Sequence, residues 1–233
     1  MKKFTIALRI AVLSLCTIAV KAQSTSSKPA PAYMMPDGSF ISKDKIDSVD
    51  RSWNGALFLA QEEKDKAQGV FHLIRLSDAE MKQMAQQNAH ADSVVKAMVN
   101  KAAPDFNLTD MQGKKWSLAE LRGKVVVLNF WYTSCPPCVA EMPQLNALAK
   151  GYSPDSVVFL ALTFNEVQKV TTFLQKHEFG YTILPDSKEI DQQYKVSGWP
   201  TNLVINKEGI ITFAVNSSSD IQHDLSAAIN ANL

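Results

Sequence analysis

The chain predicts an α/β fold, a mixed central sheet sandwiched by helices, preceded by a small N-terminal α+β extension. Three features carry that prediction. Residues 125–131 (Val-Val-Val-Leu-Asn-Phe-Trp) are too apolar to leave one face wet, which requires a central strand covered on both sides. Residues 157–163 form a second such run. Between and after them, segments of helical spacing alternate with short apolar stretches and end in two strands, 202–206 and 210–215, joined by Lys207-Glu208-Gly209 as an antiparallel hairpin. The composition of 46% apolar and 20% charged residues supplies an ample core for such a fold.

The elements follow in order. Met1-Lys2-Lys3 is basic, residues 10–20 carry no charge, and Val20-Lys21-Ala22 offers a cleavage site, the layout of a secretory signal. Arg9 leaves an apolar run shorter than the ~20 residues that span a bilayer. The bulky Leu15 before Cys16 argues against lipidation there. The sequence therefore divides into a signal at 1–22, an extension of unknown role at 23–101 and the α/β domain at 102–233. Residues 24–36, rich in Ser, Pro and Ala, read as a flexible leader, and Asp37-Gly38 as a turn. Scattered aromatics over 40–71 suggest a partly β segment whose last strand lies near 71–76. Ser77 and Glu80 form a capping box opening a helix over 78–101, with Met81, Met84, Ala85, Val94, Val95 and Met98 as its apolar stripe. Such a stripe reads as packing rather than as a metal or haem site.

In the second unit, 106–109 and 115–118 flank a turn at 110–113 as a hairpin, and 118–121 form a helical turn ended by Gly123. The helix after Cys138 carries Val139, Met142, Leu145, Leu148 and Ala149 at helical spacing, with Pro143 kinking rather than stopping it. Helices over 166–178, 187–194 and 220–230 and a short strand over 181–184 complete the order.

Chemistry concentrates at Cys135-Pro136-Pro137-Cys138, where the apolar strand turns into a helix. A cysteine at a helix N-terminus is stabilised as the thiolate, and a partner three residues on can resolve a mixed disulfide. Removal of a signal containing Cys16 leaves only this pair, and a cross-link closing so small a loop adds little stability. The pair is therefore read as reactive. A formal charge of +1 gives no electrostatic reason to expect nucleic acid as a partner.

From Lys101 onward the chain resembles the thioredoxin superfamily, and within it the exported TlpA/ResA-like thiol–disulfide oxidoreductases. The resemblance rests on Asn129-Phe130-Trp131-Tyr132-Thr133-Ser134-Cys135-Pro136-Pro137-Cys138, on Glu141-Met142-Pro143, on Gly198-Trp199-Pro200-Thr201, and on the helix and strand inserted over 166–184. It implies a thioredoxin-like fold with Pro200 in cis. It also implies an exposed nucleophile Cys135, a more buried resolving Cys138, and Glu141 near the thiols as proton acceptor. Pro136 and Pro137 stiffen the loop. Trp131, Pro136, Pro137, Trp199 and Thr201 line the substrate surface. Thioredoxin's buried aspartate is replaced here by Asn129, which shifts that burden to Glu141.

No cofactor and no metal is implied. The partners are client protein disulfides, with apocytochrome c haem-site cysteines among the candidates, and a membrane thiol electron donor. The location is the periplasm, near the membrane if the signal stays uncleaved. With no histidine between the cysteines, the pair leans towards a reductant rather than an oxidase or isomerase. A zinc site would need more ligands than one Cys-x-x-Cys, and His72, His90, His177 and His223 lack ligand spacing. A peroxidase would carry Thr and Pro where this chain has Tyr132 and Leu128. A non-catalytic partner-binding or assembly role for the N-terminal region stays open.

Overall fold

The structure, a computed structural model, describes residues 30–65 and 67–233. The signal expected at 1–22 lies outside the described residues. The chain divides into two compact units at the Ser77/Asp78 junction.

The first unit holds β1 (Ala32–Met34), β2 (Phe40–Ile41), α1 (Ile46–Ser52), β3 (Leu57–Ala60) and β4 (Val70–Arg75). They form a sheet of order β2-β1-β4-β3 in which only the β1–β4 pair is parallel. β1 corrects the reading of 24–36 as a leader throughout. Tyr33 is buried and stacks on Phe71 at 5.8 Å, which gives this short polar-flanked stretch a reason to pair.

The second unit begins with α2 (Asp78–Lys96), followed by the hairpin β5 (Asn107–Thr109) and β6 (Lys115–Ser117). Asp110 closes the hairpin, accepting from the Gln112 and Lys114 amides and from the Trp116 indole. Then come β7 (Val125–Phe130), α3 (Pro136–Lys150), β8 (Val157–Leu162), α4 (Val167–Leu174) and β9 (Thr182–Leu184). The chain finishes with α5 (Lys188–Gln193), β10 (Thr201–Ile205), β11 (Ile211–Val215) and α6 (Ile221–Asn230).

The main sheet has the order β11-β10-β7-β8-β9, with β7, β8 and β9 parallel and β10 antiparallel to its neighbours. Every residue of β7, β8 and β10 is buried, as the apolar runs require. Side-chain alternation along β7 builds one core per face. Val125, Val127 and Trp131 join α3 and α6 on one side; Val126, Leu128 and Phe130 join Val95, Met98 and Tyr194 on the other.

The helix α2 therefore belongs with the second unit, and the domain boundary falls at 77/78 rather than 101/102. Its buried residues are Ala91 and Val95, followed by Met98 just beyond its end, while Met84 and Ala85 of the expected stripe are exposed. The helix stops at Lys96 instead of 101; Asn100 takes a left-handed conformation (φ 66°) and donates its amide to Ile211. Pro143 does not stop α3, which continues to Lys150.

Candidate active site

β7, the middle strand, delivers the chain to the end of the sheet at its C-terminus, and four residues, Trp131-Tyr132-Thr133-Ser134, lead from Phe130 to Cys135. Cys135 has extended backbone and caps α3, its sulfur accepting from the Cys138 amide at 3.2 Å. Pro136 and Pro137 fill the first helical positions, where the missing N–H groups would have had no partner in the helix. The two cysteines, with Cα atoms 5.3 Å apart, form a disulfide. Cys135 is 1% exposed and Cys138 2%, so the exposed nucleophile expected from the sequence is not found in this oxidised state. Both sulfurs belong to the core cluster that also contains Trp131 and is flanked by Tyr132 and Trp199. Pro136 and Pro137 are exposed beside them.

The strand register brings the second loop to the same end of the sheet. Thr201 opposes Phe130 in the β10–β7 pair, so Pro200 emerges where β7 hands over to the cysteine loop. The Trp199–Pro200 peptide is cis. Trp199 is half-buried and meets Tyr132 and Phe164 at 5.7 Å each, while Tyr132 and Phe164 lie 5.4 Å apart, a closed aromatic triangle. Phe164 is 37% exposed. The sequence reading missed it, because its position in the β8–α4 turn marks no motif. Thr201 is fully buried, so in this state it is not part of the substrate surface where the sequence placed it; its hydroxyl is taken up within the loop and by Asn216.

Trp131 corrects an expectation. It is fully buried, packed against Phe173 at 5.2 Å and edge-on to Phe179 at 5.5 Å. The β7 alternation turns it towards the α3 face, where α4 and the following loop cover it, so it is core and not part of a substrate surface. Its indole N–H has no partner among the described residues.

Glu141 lies one helical turn after Cys138 and is 3% exposed. Its Oε1 accepts from the Ser218 amide at 3.0 Å and its Oε2 from Asn202 Nδ2 at 3.1 Å. Asn202 Oδ1 in turn accepts from Asn129 Nδ2 at 2.8 Å, across the β7–β10 pair. Burial pushes the Glu141 carboxyl above the ordinary carboxylate range, with these hydrogen bonds opposing the rise. The Tyr181 hydroxyl is buried without a partner among the described residues, and burial together with the Glu141 charge raises it far above the usual phenol range. Asn202 was not singled out from the sequence, although an asparagine in each of two otherwise apolar strands was a signal that the two pair. Asn165 Oδ1 accepts from the Thr133 amide at 2.8 Å and fixes the loop leading to Cys135.

In the first unit, Glu62, Asp65 and His72 place their donor atoms within 4.8 Å of one another. His72 is engaged by Asp65 at 2.7 Å and Glu62 by Lys64 at 2.8 Å, so both carboxylates already have partners.

The AhpC/TSA family model matches residues 99–214. The thiol–disulfide oxidoreductase ResA of Bacillus cereus is 38% identical over 116 residues, 49% of this chain and 67% of that protein. ResA of Geobacillus thermodenitrificans is 36% identical over 131 residues, covering 54% of this chain and 75% of its own. Among solved structures, one from Chlorobium tepidum described as a thiol:disulfide interchange protein DsbE aligns with a TM-score of 0.54 at 26% identity, over 57% of this chain and 96% of that one. A Bacteroides thetaiotaomicron structure described as a protein disulfide isomerase aligns equally, with a TM-score of 0.54 at 27% identity, over 58% and 89%. The chain spans about two thirds of the length of the first curated relatives it matches. The fold and the dithiol site define a thioredoxin-like protein. The chain belongs to the ResA-like thiol–disulfide oxidoreductases.

Proposed function

We propose that this protein is an exported oxidoreductase that reduces disulfides of envelope client proteins through Cys135 and Cys138. One observation carries the reading: Cys135 caps a helix, where the thiolate is stabilised, with Cys138 in its first turn, at the sheet end from which the cis-Pro200 loop also emerges. The thiolate of Cys135 attacks one sulfur of a client disulfide, forming a mixed disulfide and releasing the other client sulfur as a thiolate. Cys138 then loses its proton to Glu141 and attacks the Cys135 sulfur. The client leaves with both sulfurs reduced, and the Cys135–Cys138 disulfide remains. Two electrons and two protons from a membrane thiol donor regenerate the dithiol. Burial of Glu141 supports its role, because a carboxylate held above its usual range is a stronger proton acceptor than an ordinary one.

The triangle of Tyr132, Phe164 and Trp199 supplies an apolar rest for the residues flanking a client cysteine, while the main chain at the half-buried Trp199, just before Pro200, pairs with an extended client strand. The leader-like segment at 1–22 supports export to the periplasm, and cytochrome c haem-site cysteines are among the clients of matching chemistry.

Cys138→Ala tests the reading: the variant should accumulate clients disulfide-linked to Cys135 on non-reducing gels, and an envelope extract that yields no mixed disulfide rejects it. The potential of the couple sets the direction. About −250 mV or below marks a reductase, and about −120 to −180 mV an oxidase or isomerase.

A further inference from the structure

The cis-Pro200 loop is held from a side that the family match does not include. Helix α2 precedes the matched stretch of 99–214, yet it reaches the loop once directly and once through Asn216. Ala91 packs against Gly198, its methyl only 3.6 Å from where a Cβ on that glycine would stand. Asp92, the next residue, accepts from Asn216 Nδ2 at 2.6 Å. Asn216 Oδ1 lies 2.9 Å from the Thr201 hydroxyl, which also lies 2.8 Å from the Gly198 carbonyl oxygen. A carboxylate can only accept, so Asp92 fixes the Asn216 amide with its nitrogen towards α2 and its oxygen towards Thr201. Asn216 too lies beyond the matched stretch.

We propose that Asp92 is a positioning residue for client capture: through Asn216 and Thr201 it holds the Gly198–Thr201 loop in the shape that receives a client strand. The inference rests on the proposed exchange reaction and adds to it a residue from a helix outside the family match. Removing Asp92 frees the Asn216 amide to turn over, and Thr201 and Gly198 lose their shared anchor. The loop then samples other shapes, while the sulfur chemistry, on a different segment, is unchanged. Protein clients, which need the loop, should suffer; small disulfides, which need only the sulfurs, should not.

The test compares wild type, Asp92→Ala and Asp92→Asn in the full chain. Substrates are insulin as a protein disulfide and 5,5′-dithiobis(2-nitrobenzoate) as a small one. Backbone hydrogen exchange is followed over 197–203. For Asp92→Ala we expect a KM for insulin raised about five-fold, equivalent to about 1 kcal/mol. Its kcat and its rate with the small disulfide should hold, and exchange across 197–203 should quicken. Asp92→Asn keeps an acceptor for Asn216 and should restore both readouts. Equal loss with both substrates, or unchanged exchange over 197–203 in Asp92→Ala, overturns the proposal. If wild type turns over neither substrate, the exchange reading fails by itself, and the hydrogen-exchange comparison still decides whether Asp92 holds the loop.

Discussion

Glu141 occupies a place where a carboxylate is costly, with hydrogen bonds such as those from the Ser218 amide and the Asn202 side chain only partly offsetting the loss of water. Its raised folded-state pKa means the folded protein holds the proton more tightly than the unfolded chain. Stability from this group is therefore full below the ordinary glutamate value of about 4.3 and falls as pH rises through the interval above it. Glu141→Gln cannot ionise, so the melting temperature of wild type minus that of the variant should decrease from pH 4 to pH 7. Asp191, also raised by burial, is common to both proteins and cancels in the difference. A flat difference would contradict the burial argument. The same variant should slow release of mixed disulfides by on the order of 10²-fold at neutral pH, recovering at high pH where Cys138 ionises unaided. Phe164 gives a complementary expectation. Being partly exposed and outside the core cluster that holds the two sulfurs, Phe164→Ala should weaken protein-client binding by about 1 kcal/mol, with a shift in melting temperature too small to explain it. Which of these residues the sequence disclosed follows from how far apart their partners are. Glu141 could be placed because Cys138 is its neighbour on one helix. Asn202, 61 residues further on, meets it only through strand pairing, and the Asp92–Asn216 contact spans 124 residues.

At the level of elements, burial decided what could be read. β7 and β8 were recognisable because both faces are covered and nearly every residue is apolar; β1, three residues long, is flanked by the two-residue β2 just past the 37–38 turn and by β4 some 38 positions away, too short a run to leave a pattern of its own. The β10–β11 hairpin was legible for a different reason: Gly209 sits in its turn with φ +79°, a conformation costly for other residues. Asn206 accepts the Ile210 amide across the same turn. A methyl at position 209 would run into the Arg122 guanidinium as well, so that side chain would have to swing away. Gly209→Ala should therefore cost about 1–2 kcal/mol in urea unfolding, with the reduction potential of Cys135–Cys138 unchanged because the turn lies at the opposite end of β10 from Thr201.

For the whole molecule, the consequence of the 77/78 boundary is that the helix named as extension is part of the catalytic unit's core. Val95 is fully buried and Met98 nearly so, in the cluster with Leu128, Phe130, Leu203 and Ala214, and Tyr194 reaches across to the Pro104 carbonyl at the segment joining α2 to the sheet. Deleting residues up to 101 would uncover this face of the sheet. At about 1.5–3 kcal/mol for each large apolar side chain whose burial is lost, Val95 and Met98 together contribute about 3–6 kcal/mol. That is a large share of the about 5–15 kcal/mol that holds an ordinary domain folded. A fragment of residues 78–233 should accordingly unfold cooperatively and keep the reduction potential of the full chain. A fragment of residues 102–233, cut where the sequence alone suggested, should melt many degrees lower or fail to fold, and bind a hydrophobic dye. Because α2 also braces the cis-Pro200 loop, any folded 102–233 protein should exchange with small disulfides yet lose preference for protein clients. Equal melting temperatures for the two fragments would show that α2 rides on the domain without supporting it, and would remove the structural basis for assigning it a part in client capture.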